Sequence, residues 1–273
     1  MPTSRRKRRI TPEDLHRIVF TGGPQVSPDG REILFVRKTI GEKNDYVTNL
    51  WRVPASGGEP RAFTSGGKDG HGRWSPDGST VAFIRSVKGQ GSQIYTIPVA
   101  GGEAAKLTSF PEGTLAGFQW SPDGRTLAVT FRETDPDWTS DAVKEREEKG
   151  LTDPPRVLDD PWYRLDGDGY FNGQRFRLYL VDATTGEHRM VYAKDTLGFF
   201  SVSWSPDSKQ LAIATNRDKR ALSRPWKTEI LRLNVKSGKL TPVRGLPEGP
   251  KDNVQWSPDG KLLAYAGRLG KDC

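Results

Sequence analysis

Apolar residues in this chain recur in short triplets rather than along a helical stripe. Five triplets stand out: Ile33-Leu34-Phe35, Val81-Ala82-Phe83, Leu127-Ala128-Val129, Leu211-Ala212-Ile213 and Leu263-Ala264-Tyr265. Large, small, large on successive residues of a strand puts apolar side chains on both faces, so both faces must be covered. The middle residue is alanine in four of the five, which suits a sheet approaching closely on that side. Each triplet follows a polar turn at the same interval. The turn reads Trp74-Ser75-Pro76-Asp77-Gly78 and recurs at 120–124 and 256–260. Residues 26–30 carry Val26 for the tryptophan, and residues 204–208 carry Ser208 for the glycine. Proline presets φ at the second turn position, aspartate suits the third, and glycine accepts the left-handed residue that follows. Such a turn joins two antiparallel strands in a three-residue hairpin loop.

A third strand follows in four copies, at 50–53, 94–97, 178–181 and 230–233, and then a small-residue turn with Gly58, Gly102, Gly186 or Gly238. A fourth strand comes next, at 60–64, 104–108, 188–192 and 240–244. Four antiparallel strands per unit, each unit covered by its neighbours, make the blade of a β-propeller. The predicted fold class is therefore all-β, with blades starting near residues 26, 74, 120, 204 and 256 and a short N-terminal helix ahead of them. The steps between turns are 48, 46, 84 and 52 residues. Three lie near the ~40–50 residues of a propeller blade. The long one is explained by an insertion between the second and third strands of the third blade, at 133–175. The fifth unit contains only its turn and second strand, so about four and a half blades are present and the ring is incomplete. The expectation is a fragment of a longer protein, poorly stable or self-associating through open edges.

Thr11-Pro12-Glu13-Asp14 reads as a helix start, with Thr11 as cap and Pro12 in the first helical position. A helix running to about residue 16 or 17 must dock on something, because a cap contributes only about 1 kcal/mol. Composition supports the all-β reading, with 30 Gly and 20 Pro among 273 residues. The formal charge of +8 looks like a nucleic-acid signal until it is located. Arg5, Arg6, Lys7, Arg8 and Arg9 lie in a basic mobile tail (1–10); without them 37 basic residues face 34 acidic ones. Such a run binds polyanions or serves as a nuclear address, or is a solvated arm; no aromatic-rich recognition motif accompanies it, so a nucleic-acid partner is not expected. The lone cysteine, Cys273, excludes an internal disulfide, and no apolar run reaches signal-peptide or membrane length. A cytoplasmic protein without a membrane partner is the default expectation.

The insertion carries 12 acidic and 6 basic residues in an otherwise basic chain. It leaves the propeller on the face opposite the hairpin turns. Its first half suggests a charged helix over 141–149, containing Glu145, Glu147 and Glu148; its second half, from Arg164 to Tyr170, is aromatic, acidic and turn-rich. A long loop of this kind is often functional. One reading is a carboxylate arm that captures a cation such as a peptide's free amino end, with Glu147, Glu148, Arg164, Asp166, Asp168 and Tyr170 as candidate substrate-binding residues. The other is a solvated loop or an interdomain contact surface. Asp166 and Asp168 fall short of the six to eight oxygens calcium takes, so no metal site is expected. No cofactor motif is present. There is no G-x-S-x-G elbow, and His16, His71 and His188 lie far apart, in the first helix, a loop and a fourth strand. No catalytic residue is assigned.

The stretches Ile10-Thr11-Pro12-Glu13-Asp14-Leu15 and Pro24-Gln25-Val26-Ser27-Pro28-Asp29-Gly30 resemble the opening of prolyl oligopeptidase family enzymes of the acylaminoacyl-peptidase or dipeptidyl-aminopeptidase type. Tyr163-Arg164-Leu165-Asp166-Gly167-Asp168-Gly169-Tyr170, leading into Leu178-Tyr179-Leu180-Val181-Asp182, is similar to the same proteins. The repeats are shared with TolB-like propellers. The resemblance spans essentially the whole chain. It implies an N-terminal propeller that screens peptides for an α/β-hydrolase domain holding a Ser-Asp-His triad. This chain departs from the family by containing no such domain, so it is expected to be inactive alone, with the hydrolase domain and a peptide as its partners. In dipeptidyl-type relatives an acidic pair in a propeller arm holds the substrate amine. Glu147 and Glu148 are a candidate counterpart, set in a pattern that does not match the relatives' own. The alternative is a stand-alone TolB-like propeller that docks a protein.

Overall fold

The computed structural model describes residues 8–87 and 91–271, and most of the expected basic tail, with Cys273, lies outside them. Four four-stranded antiparallel sheets and a final two-stranded one follow one another along the chain. The first holds β1 (Phe20–Val26), β2 (Glu32–Ile40), β3 (Tyr46–Pro54) and β4 (Arg61–Ala62); the second holds β5 (Asp69–Trp74), β6 (Thr80–Val87), β7 (Gly91–Pro98) and β8 (Ala105–Lys106). In the third, β9 (Gly113–Trp120) and β10 (Thr126–Glu133) pair with β13 (Arg177–Asp182) and β14 (His188–Tyr192) across the insertion. The fourth is β15 (Ser201–Trp204), β16 (Gln210–Thr215), β17 (Glu229–Asn234) and β18 (Leu240–Pro242), and the last pair is β19 (Lys251–Trp256) with β20 (Leu263–Gly267). The five sheets are those expected from the repeat.

The hairpin turn is more elaborate than proline, aspartate and glycine require. In every copy the serine hydroxyl donates to the aspartate (Ser27–Asp29 2.6 Å, Ser75–Asp77 2.5 Å, Ser121–Asp123 2.6 Å, Ser205–Asp207 2.7 Å, Ser257–Asp259 2.6 Å). The same hydroxyl accepts from the first backbone N–H of the next strand, as from Thr80 N at 3.0 Å. These bonds hold the aspartates below the usual carboxylate range, the serine bond leading in four of them; at Asp123 burial opposes the bonds and is outweighed. Ser208, in glycine's place, adopts φ 59° and accepts a bond from Asp123 N of the preceding blade at 3.0 Å.

The core lies between blades rather than within them. Each apolar cluster takes the small face of one sheet and the large face of the next. Ala82 is buried with Phe118, Leu127 and Val129; Ala128 with Val202, Trp204, Leu211 and Ile213; Ala212 with Val254. The exception among the small positions is Leu34, and it is compensated across the interface. The residue two before the tryptophan is Phe118, Val202 or Val254 in three blades but Gly72 in the blade that faces Leu34. A Cβ on Gly72 would lie 2.7 Å from Leu34 Cδ2.

The tryptophans also clip the blades together. Trp74 Nε1 donates to Gln25 O (3.2 Å), Trp120 Nε1 to Arg73 O (3.3 Å) and Trp204 Nε1 to Gln119 O (3.3 Å), each acceptor sitting just before the matching position of the preceding blade. Trp256 lacks this bond: its Nε1 is buried without a partner among the described residues. Val26, which stands where no preceding sheet packs among the described residues, is exposed.

The expectations for the N-terminal helix and His71 need correcting, and the insertion holds its expected helix and more besides. The N-terminal helix is a 3-10 helix, Pro12–Arg17, with no buried residue. It touches β2, and Leu15 remains exposed, so it braces the first blade without entering the core. Asp14 reaches back to accept from Thr11 N (2.9 Å), while Arg8 pairs with Asp14 at 2.7 Å, which ties down the last part of the basic tail. Secondly, His71 belongs to β5 and not to a loop. Its neighbours Gly70 and Gly72 hide the strand pattern, and a bulge with φ 54° at His71 interrupts the pairing with β6. The insertion is folded: it contains a 3-10 turn (Pro136–Trp138), helix α1 (Ser140–Glu148) and a hairpin of β11 (Arg164–Leu165) with β12 (Gly169–Tyr170).

Candidate functional site

The first strands β1, β5, β9, β15 and β19 line an open cavity of about 740 Å³ on the inner side of the incomplete ring, here called the channel. One end is formed by the residues just before the hairpin turns, Gln25, Arg73, Gln119 and Gln255; the other is walled by Phe176 and Phe199. His71 sits between them. Its Nε2 accepts from Phe118 N at 3.2 Å, and its ring lies 5.2 Å from that of Phe118. Space for the ring comes from Gly117, where a Cβ would approach it to 2.9 Å. Burial, followed by the nearby Arg73 charge, lowers the His71 pKa to about 4, so the imidazole is neutral at pH 7. The Arg73 guanidinium is also lowered by burial.

The inserted arm stands at the mouth opposite the hairpin turns, because it leaves β10 and rejoins β13 at those strands' far ends. It is anchored by three sets of contacts. Trp162 Nε1 donates to Leu197 O (2.9 Å), and its ring meets Phe171 and the channel-lining Phe199 at 5.8 and 5.4 Å. Arg175 joins Asp160 (2.7 Å) to Thr196 O (3.1 Å). Arg132, on β10, makes a two-bond pair with Asp168 at 2.6 and 2.8 Å, and its guanidinium packs over Phe171 and Phe176. Beneath the loop that receives Trp162, buried Asp195 accepts from Leu197 N, Phe199 N, Thr215 Oγ1 and Asn216 N, while burial raises its pKa.

The six residues singled out from the sequence are not gathered into one site. Arg164, Asp166, Asp168 and Tyr170 share the β11–β12 hairpin. Asp168 is occupied by Arg132, whose side chain is only 8% exposed, so its visible role is to hold the hairpin to the blade. Asp166 is fully exposed and lies 3.7 Å from Arg164. Tyr170 stacks on Tyr163 and beneath Arg156, which also covers Trp138 at 3.4 Å. Glu147 and Glu148 sit on α1; both are exposed, and Glu148 pairs with Lys144 at 3.8 Å. Sequence reasoning missed the channel residues altogether. The available signal was the position before each tryptophan, which reads Gln, Arg, Gln, Ser, Gln in the five copies.

Comparison with known proteins agrees with this architecture. Among curated proteins the chain is 34% identical over 212 residues to the uncharacterized peptidase YuxL of Bacillus subtilis, covering 77% of this chain and 32% of that protein. It is 24% identical over 265 residues to dipeptidyl-peptidase 5 of Porphyromonas endodontalis, covering 94% and 38%. The chain thus spans about a third of the length of these relatives. Among solved structures it superposes on the acylaminoacyl peptidase of Pyrococcus horikoshii with a TM-score of 0.70 at 16% identity, covering 94% of this chain and 37% of that one. The resemblance to peptidase propellers read from the sequence is borne out by these matches. The TolB β-propeller domain family matches residues 8–161, and with five hairpin-linked sheets around a channel the chain belongs to that family.

Proposed function

We propose that this chain is the substrate-admitting propeller of a serine peptidase, working with an α/β-hydrolase domain that its sequence does not contain. The observation that carries the reading is a channel lined by all five first strands with a folded, acidic arm anchored at one mouth. A cavity of this volume has room for a peptide segment and none for a folded chain, which is a filter by size. The arm supplies carboxylates near the point of delivery, and Glu147 and Glu148, both exposed on α1, are its acidic pair for a substrate's free amine. Arg164, Asp166 and Tyr170 belong to the β11–β12 hairpin further along the same arm, with Asp168 as its anchor.

The deciding experiment is labelling with a fluorophosphonate probe. This chain alone should remain unmarked, and a longer product of the same gene should be marked. An unmarked longer product that also lacks peptide hydrolysis would sink the proposal. A stand-alone binding propeller is the second reading, favoured by the TolB family match. It predicts that further sequence contains only more hairpin repeats.

A further inference from the structure

The channel contains a cation with no counter-ion among the described residues. Arg73 projects from β5 into the end nearest the hairpin turns. Among the described residues its side chain makes one hydrogen bond, from Nη1 to the adjacent Gly72 O at 2.8 Å, and no salt bridge. Among the described residues no carboxylate lines the channel, and its only titratable lining groups are Arg73 and the neutral His71. Arg85, Arg132 and Arg175 are by contrast paired, with Asp69 at 2.6 Å, Asp168 at 2.6 Å and Asp160 at 2.7 Å. Arg73 is half-buried, its guanidinium partly removed from water with no acidic partner among the described residues, so an anion entering the cavity would meet an unshared fork of donors.

The surroundings narrow the choice of anion. Gln25, Gln119 and Gln255 occupy the position of Arg73 in three other blades. Gln255 Oε1 is approached by Ser203 Oγ at 3.5 Å, and its amide nitrogen has no bond among the described residues. The Gln25 and Gln119 amides already donate, to Pro24 O at 2.8 Å and Val202 O at 3.0 Å, so the donor set on offer is the guanidinium fork of Arg73, which matches the two oxygens of a carboxylate. We infer that Arg73 is the centre of a carboxylate site in the channel, which receives the C-terminal carboxylate of a peptide. This rests on the peptide-admitting reading above and adds a polarity to it: a peptide enters with its carboxylate toward the hairpin-turn end and its amine toward the arm.

The test is direct binding to this chain by calorimetry, using trialanine, trialanine amide and acetate. Trialanine is expected to bind about 10–100-fold more tightly than its amide, the difference a charge-assisted pair supplies. Arg73→Gln should abolish that difference while leaving the far-ultraviolet spectrum and melting curve intact. Arg73→Lys, which keeps the charge and loses the fork, should retain a reduced preference and guards against a folding artefact in the glutamine variant. Equal binding of acid and amide overturns the carboxylate site and leaves the peptide reading standing. Arg73-dependent binding of acetate without peptide binding supports the site and removes the peptide reading. Binding of neither acid overturns the site outright.

Discussion

The size exchange between Leu34 and Gly72 makes a quantitative test of how the blades pack. A Cβ on Gly72 would lie 2.7 Å from Leu34 Cδ2 and 3.0 Å from both Leu50 methyls, against the roughly 3.5–4.0 Å of a relaxed carbon contact. Leu34 and Leu50 are essentially fully buried, so neither can swing into solvent. Gly72 is not among the residues with positive φ, so a side chain there meets no backbone strain. Relief of glycine's excess chain entropy favours Gly72→Ala by about 0.5–1 kcal/mol, while overpacking costs about 1–3 kcal/mol. The packing term wins, leaving a net loss near 1 kcal/mol for alanine and more for Gly72→Val. Leu34→Ala alone opens a cavity and should cost about 2–5 kcal/mol. The double variant Leu34→Ala with Gly72→Val recreates the alanine–valine pairing of the later interfaces, and should recover about 1–3 kcal/mol relative to the sum of the single losses. Urea denaturation followed by circular dichroism measures all four proteins. Additive losses within about 0.5 kcal/mol would refute the compensation.

Further outcomes follow from other parts of the molecule. His71 has a pKa of about 4 in the folded chain against 6.5 when free, so between those values the unfolded chain takes up a proton that the folded one refuses. Stability should therefore fall as pH drops through that window, by roughly 2–4 kcal/mol in all. His71→Asn, which keeps a residue suited to left-handed φ, should remove that loss in melting curves at pH 7 and pH 5; an unchanged pH dependence would count against it. The depressed turn aspartates act lower, their contribution disappearing as pH falls below the unfolded value of 3.8 and through their folded values. Trp204→Phe keeps an aromatic ring and loses the bond to Gln119 O, for about 1 kcal/mol, whereas Trp204→Ala should cost about 3–5 kcal/mol in thermal unfolding. Asp168→Ala leaves Arg132 buried and unpaired at a cost of about 3–5 kcal/mol, and limited proteolysis should then cut first within 133–175. Neutralising Glu147 and Glu148 in a peptidase containing this propeller should raise KM for peptides with free amino ends and leave KM for blocked peptides unchanged.

Much of this architecture is written locally. Serine, proline, aspartate and glycine close each hairpin through bonds spanning five residues or fewer, so the turns and the strands beside them can be read from neighbours in the chain. Spacing then located the insertion, and its charged helix appears at Ser140–Glu148 within a residue of the expected 141–149. The alternation of large and small residues foretold which face would meet a neighbour. It did not foretell that Leu34 would be answered by Gly72, because those residues are 38 positions apart and touch only when two blades stack.

The candidate site belongs almost wholly to that second category. His71 is hidden between two glycines in sequence and becomes a neutral, half-buried imidazole only because Gly117 of the next blade leaves room for its ring. Arg73 reads as one more cation among 42 basic residues until five strands converge around it and exclude every carboxylate from the lining. Asp168, prominent in sequence as an exposed acid, is claimed by Arg132 from 36 positions away. Turn chemistry and strand period act over a few residues and survive in the one-dimensional record. Burial, charge pairing and the shape of a channel depend on what distant strands bring to the same few ångströms, and they exist only once the blades have packed.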